Sequence, residues 1–218
     1  MSKSVEKNLS NSTHYWKSAV LNVLGFLFLA WGLIAIGYQI YRGAFAFVLW
    51  FSYAGLIFTG IGILTRNSYL IASQIAILGI PYIFWSIDFL YLIITGNSLW
   101  GLTDYIFKDI SALANVISIQ HLFNIPLSLF SIWIIKLKRD DFWKFSFGQI
   151  TFFFVIGRLF TPQEMNINCV FSSCFPLEIP LPYFVEWFLF FFAIIGITSL
   201  IISSLKFLRP RQLYPLNI

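Results

Sequence analysis

Six apolar stretches, 18–40, 44–64, 69–95, 112–135, 142–159 and 183–205, take up most of this 218-residue chain, each bounded by charge, Pro, Gly or Asn. A bilayer's hydrocarbon core is about 30 Å thick and needs roughly 20 apolar residues to cross as helix. All six qualify or nearly do, and nothing between them is long enough to fold as a second domain. The reading is an all-α polytopic integral membrane bundle of six transmembrane helices (18–205). A polar N-terminal tail (1–17) precedes it and a basic C-terminal tail (206–218) follows. Composition agrees: only 11% of residues are charged and the mean hydropathy is +0.81, against about 25% charge in a soluble domain. A soluble enzyme, a disordered regulator and a nucleic-acid binder are thereby excluded, in spite of a sequence pI near 9.2. No internal repeat is visible, which weakens an inverted-repeat transporter reading.

The positions of the cations set the orientation. Six crossings put both termini on one side. That side carries 11 basic residues: Lys3, Lys7, Lys17, Arg66, Lys136, Lys138, Arg139, Lys144, Lys206, Arg209 and Arg211. The other side has Arg42 and Lys108, with Arg158 inside a span end. The positive-inside bias places both termini in the cytoplasm. The first span, 23 residues with no small-residue cleavage pattern after it, reads as a span and not as a cleaved signal peptide. Asn8-Leu9-Ser10 and Asn11-Ser12-Thr13 match the N-glycosylation pattern. Modification at either in a eukaryotic host would overturn this topology.

Two outer loops carry information. In 96–111, a short interfacial helix is expected, with Trp100, Leu102, Tyr105 and Ile106 on the membrane and Asp104, Lys108 and Asp109 in water. The loop 161–182 has no Lys or Arg, is broken by Pro176, Pro180 and Pro182, and holds the two cysteines, Cys169 and Cys174. Outside the cytoplasm this pair suits a disulfide. The spacing differs from a C-x-x-C dithiol, and no ligand cluster supplies a metal site.

Ionisable groups at membrane depth are costly and face the bundle interior or a cavity. Gln74, Pro81, Asp88 and Thr95 recur every seven residues and so share one helix face. Ser118, His121, Asn124 and Ser128 form a second stripe. Ser52, Gly55, Thr59 and Gly62 form a third, which is small enough for close helix packing. Counting down from the outer span ends puts Ser52 and His121 roughly 12–14 Å deep and Asp88 about 10 Å deep. Arg158 and Glu186 lie near the outer surface. The expectation is a polar pocket opening outward under the cysteine loop, involving Ser118, Gln120, Asn124, Arg158 and Glu186. Each residue also has a structural reading. Ser52 can simply pack, His121 can hydrogen-bond a neighbouring helix, and Asp88, Arg158 and Glu186 can form a buried ionic network that fixes register.

Three segments resemble the androgen-induced-gene family of six-span intramembrane hydrolases, which cleave esters of fatty-acid-derived lipids with a Thr and a His. Phe51-Ser52-Tyr53 is similar to the nucleophile segment, with Ser in place of Thr. Ile80-Pro81, Phe84-Trp85 and Tyr91 are similar to the aromatic third span. His121 followed by Pro126 is similar to the His-x4-Pro segment. Together they cover under a fifth of the chain, and the 166–174 loop has no counterpart. The resemblance implies Ser52 as nucleophile and His121, the one histidine within a span, as its base. Asp88 would orient the imidazole, and Asn124 or Gln120 would donate to the oxyanion. It implies a lipid substrate taken from the bilayer and no cofactor. Two other classes stay open: a small transporter or channel using Asp88, His121, Glu186 and Arg158, and a non-enzymatic protein holding a lipid or a partner helix. A lone intramembrane His argues against haem. Oligomeric state is not readable from the sequence.

Overall fold

The computed structural model describes residues 3–106, 111–174 and 180–210, with side chains from residue 15 onward. Lys108, Asp109, Pro176 and Arg211, the side chains of Lys3 and Lys7, and those of both glycosylation patterns lie outside that description. Seven α-helices are described: α1 Lys3–Tyr41, α2 Phe51–Leu64, α3 Ser68–Thr95, α4 Ala112–Ser118, α5 Gln120–Ile135, α6 Trp143–Phe160 and α7 Tyr183–Ser204. No strand occurs among the described residues. Four stretches are long and apolar enough to cross a membrane: Tyr15–Tyr41, Ser68–Thr95, Ala112–Ile135 and Tyr183–Ser204. The third joins α4 and α5 through Ile119, which keeps a right-handed helical conformation. Large apolar side chains such as Phe160, Ile94 and Leu200 point outward and exposed, as a lipid-facing surface requires.

The centre of the bundle is α3, which packs against α2, α5, α6 and α7. Its first half, residues 71–79, is buried all round. Its second half buries one face only, through Tyr82, Trp85, Asp88 and Leu92. Glycines let α1 and α2 approach closely. A Cβ on Gly60 would lie 2.9 Å from the Leu29 nitrogen and 3.0 Å from the Gly25 carbonyl oxygen. These are backbone atoms that cannot swing aside, so Gly60→Ala is expected to cost about 1–3 kcal/mol. A lower Tm in detergent checks this. Gly148→Ala, which meets nothing within 4 Å, should leave Tm in place.

The stretch 44–64 is not one helix. A 3-10 turn, Phe45–Leu49, leads to an extended Trp50, and α2 begins at Phe51 with 14 residues, a length of about 21 Å. The break survives because Asn168 satisfies its polar backbone. Its Oδ1 accepts from the Phe51 N–H at 2.9 Å, and its Nδ2 donates to the Leu49 carbonyl at 2.7 Å. Ser52 therefore lies in the first turn of α2, not eight residues along a continuous span. About one turn further along α2, beside Gly55, Gln74 and Gln149 exchange hydrogen bonds of 2.8 and 3.0 Å between α3 and α6.

The terminal segments also differ from plain tails. Helix α1 already runs from Lys3. At the other end, Leu208 is buried and its carbonyl accepts from the Leu137 N–H at 2.7 Å, so the start of the 206–218 segment docks under α5. The loop 96–106 forms turns and no interfacial helix, and Thr103 and Ile106 are buried in it. The reason is Asp88, whose carboxylate draws the loop inward.

Candidate functional site

A string of polar side chains links α2, α3 and α5. Tyr82 on α3 donates from its hydroxyl to Gln120 Oε1 at 3.2 Å, and Ser52 of α2 lies in the neighbourhood of the same hydroxyl. Gln120 Oε1 also accepts from Asn124 Nδ2 at 3.4 Å, and Asn124 Oδ1 accepts from Ser128 at 3.3 Å. Residues 120, 124 and 128 align because four residues return a helix almost to the same face. Gln120 is 0% exposed and its Nε2 has no partner. An unpaired buried donor costs of order 1–3 kcal/mol, so this one is an exception that asks for a reason. Ser52 itself lies in the first turn of α2.

His121 is half-buried and packs on aromatic rings. Its ring centroid is 4.5 Å from Tyr82 and 4.5 Å from Trp85, the latter stacked at 21°. Nδ1 lies 2.7 Å from the Ser118 carbonyl oxygen. A carbonyl only accepts, so the neutral ring carries its proton on Nδ1 and leaves a lone pair on Nε2. Ser52 and His121 thus both neighbour Tyr82, one near its hydroxyl and the other at its ring.

Asp88 is not brought to the imidazole. It is fully buried, and its oxygens accept from the N–H groups of Leu99, Trp100 and Thr103 and from the Thr103 hydroxyl, at 2.6–2.8 Å. The carboxylate is a latch for the loop, and the Ser118 carbonyl holds the imidazole instead. The latched loop brings Tyr105 to Trp85 and Ser118, both of which also meet His121. Tyr105 accepts from Trp85 Nε1 at 3.1 Å and donates to Ser118 Oγ at 3.3 Å. Burial raises the Tyr105 phenol above its ordinary pKa, which keeps that donor protonated.

The expected network of Asp88, Arg158 and Glu186 does not form. Arg158 donates to the Val170 carbonyl at 2.9 Å and lies over the rings of Phe154 and Phe171. Glu186 sits in the first turn of α7, where a helix N-terminus favours negative charge. Cys169 and Cys174 are disulfide-bonded. Their loop is fixed by Arg158, by Tyr183, which donates to the Cys169 carbonyl, and by Trp187, which donates to the Asn168 carbonyl at 3.0 Å. It covers the start of α2, while Tyr105 of the 96–106 loop bonds Trp85 and Ser118, two of the residues that hold His121. Asn168→Ala would strand a buried N–H and a carbonyl, at a cost of about 2 kcal/mol. A fall in Tm larger than that of an exposed Gln163→Ala control would be the readout.

Sequence reasoning missed Tyr82 and Asn168, and named Trp85 only within the aromatic third span and Tyr105 only as a membrane-facing loop residue. The aromatic residues are hidden by sheer abundance, since 20% of the chain is Phe, Trp or Tyr. Asn168 sits in a loop with no motif around it. Compared with family models, with curated proteins and with solved structures, the chain matches none.

Proposed function

We propose that the chain is an intramembrane hydrolase of fatty-acid-derived esters, of the kind its three segments resemble, with Ser52 as nucleophile and His121 as general base. The observation that carries this reading is the Nδ1 hydrogen bond to the Ser118 carbonyl, which leaves Nε2 free to take a proton. In the first step Ser52 Oγ attacks the ester carbonyl carbon and its proton passes to His121 Nε2. The oxyanion is met by Gln120 Nε2, a buried donor without a partner among the described residues. Collapse breaks the ester bond, and the leaving alkoxide takes the proton from the imidazole. Water, activated by the same base, then releases the acid from Ser52.

Six crossings with both termini cytoplasmic suit this reading. Helix α6 and the pair of 44–50 segment and α2 would complete the four long spans. Broken helices at membrane depth are tolerated where protein covers them, and Asn168 supports that here. Buried Ile71, Ile75, Leu78, Ile132 and Ile150 pack in the bundle interior around polar side chains that are bonded to one another, Gln74 with Gln149 and Ser146 with the Ser73 carbonyl, and this close packing argues against a through-path for a transporter.

A second reading, a protein that holds a lipid without cleaving it, is favoured by one cavity. It measures about 660 Å³ and is lined by Ile36, Ala54, Ile57, Phe58, Phe145 and Phe152, among others. It lies on the opposite face of α2 from Ser52, since residues two apart are rotated by about 200°. A serine-directed fluorophosphonate separates the two. Labelling of the purified protein, mapped to Ser52 by peptide mass spectrometry, is expected of the hydrolase. Absence of labelling there overturns it.

A further inference from the structure

A second cavity, about 360 Å³, lies at the end of the bundle where α2 turns into α3 and α5 into α6. Three cations line it, Arg66, Lys138 and Arg139, together with Asn67, Ser68 and Tyr69, and no acid does. Arg66 has a left-handed backbone, φ 56°. Its guanidinium donates only to neutral acceptors: the Ile63 carbonyl at 2.6 Å, Asn22 Oδ1 at 2.7 Å and the Ser18 carbonyl at 3.2 Å. Its charge is therefore fixed in place without a carboxylate. Arg139 lies 4.7 Å over the Tyr69 ring and pairs with Asp141. The nearby acids are already matched, Asp141 also by Lys144 and Asp140 by Arg209. Exposed Lys138 has no carboxylate partner among the described residues. The N–H groups of Ser68 and Tyr69, in the first turn of the 28-residue α3, add the positive end of a helix.

We propose that this cavity binds the phosphate of an anionic phospholipid headgroup. A cavity at the end of a helix bundle in which Arg66 and Lys138 have no carboxylate partner among the described residues and Arg139 shares Asp141 with Lys144, bordered by Tyr69 with Trp143 nearby in the chain, stands where the phosphates of one leaflet lie. The fixed Arg66 and the helix end select a phosphate oxygen, and Lys138 closes from the solvent side. This site is independent of the hydrolase reading and lies at the other end of α3 from Asp88.

The full-length protein in neutral detergent, titrated with phosphatidic acid or phosphatidylcholine of matched chains and read by native mass spectrometry, tests it. The wild type should retain phosphatidic acid preferentially. Lys138→Gln and Arg139→Gln should each weaken that retention about fivefold, while Arg42→Gln at the opposite end leaves it unchanged. Arg66 is left intact, because it holds backbone carbonyls and its variant can fail to fold. Lys138 has no internal partner, so an unchanged elution volume and Tm certify the variant. Equal retention of both lipids, or equal loss in Arg42→Gln, overturns the proposal. Saturable binding of inorganic phosphate without any lipid preference overturns the lipid as the source.

Discussion

His121→Ala is expected to lower turnover of short-chain esters by about 10²–10⁴-fold, the range over which a positioned general base accelerates such chemistry. Ser52→Ala should lose at least as much and should no longer take a fluorophosphonate label, because no acyl-enzyme can form. Gln120→Ala removes the proposed side-chain oxyanion donor and should cost about 10²–10³ in kcat with KM little changed, since such a donor is used only when the oxyanion forms. His121 is also part of a ring stack with Tyr82 and Trp85, so its loss can loosen the fold. His121→Phe restores the ring without the lone pair. It should recover Tm and stay inactive if the residue is a base, whereas recovered turnover would assign it to packing. Undiminished activity in Ser52→Ala or His121→Ala removes the hydrolase.

Asp88→Ala should release the outer loop. One buried carboxylate holds three N–H groups and one hydroxyl between Leu99 and Thr103. Hydrogen bonds to a charged acceptor contribute about 1.5–3 kcal/mol each and do not add, because the freed groups regain water once the loop opens, so the net loss is about 3 kcal/mol. That corresponds to roughly hundredfold faster amide exchange at 99–103, with a lower Tm. Asp88→Asn should fall between, since its amide can still accept but turns a donor toward other donors. If exchange in the loop stays slow while ester turnover vanishes, Asp88 acts on the imidazole after all, and the latch assignment fails.

Some of this was readable from residue order because it depends on local quantities. Apolar run length fixed the helical class and marked 112–135 with the boundaries of the stretch observed, and 69–95 and 183–205 within a residue. The cysteine pair was readable as well, since five residues of separation allow the bond that is present. The high cost of Asp88 at membrane depth was equally plain. Its partner was not: a carboxylate on a helix face can be satisfied by a histidine, an arginine or a loop, and the sequence ranks none of these. Nor was the break at Trp50 visible, for 44–64 is apolar throughout and carries no proline. It exists because Asn168, 117 residues from Phe51, supplies the donor and acceptor the broken backbone lacks.

By itself, then, the sequence determined that this chain is helical, with stretches long and apolar enough to cross a membrane, and which costly polar groups had to be sheltered, because burial of apolar surface and desolvation of charge act residue by residue. The tertiary structure alone decided how each was sheltered: Asp88 by the loop, His121 by the Ser118 carbonyl and two rings, Arg158 by Val170, and Ser52 in the first turn of a helix. Hydrogen bonds are short and directional, so their pairing is settled only when distant segments have packed.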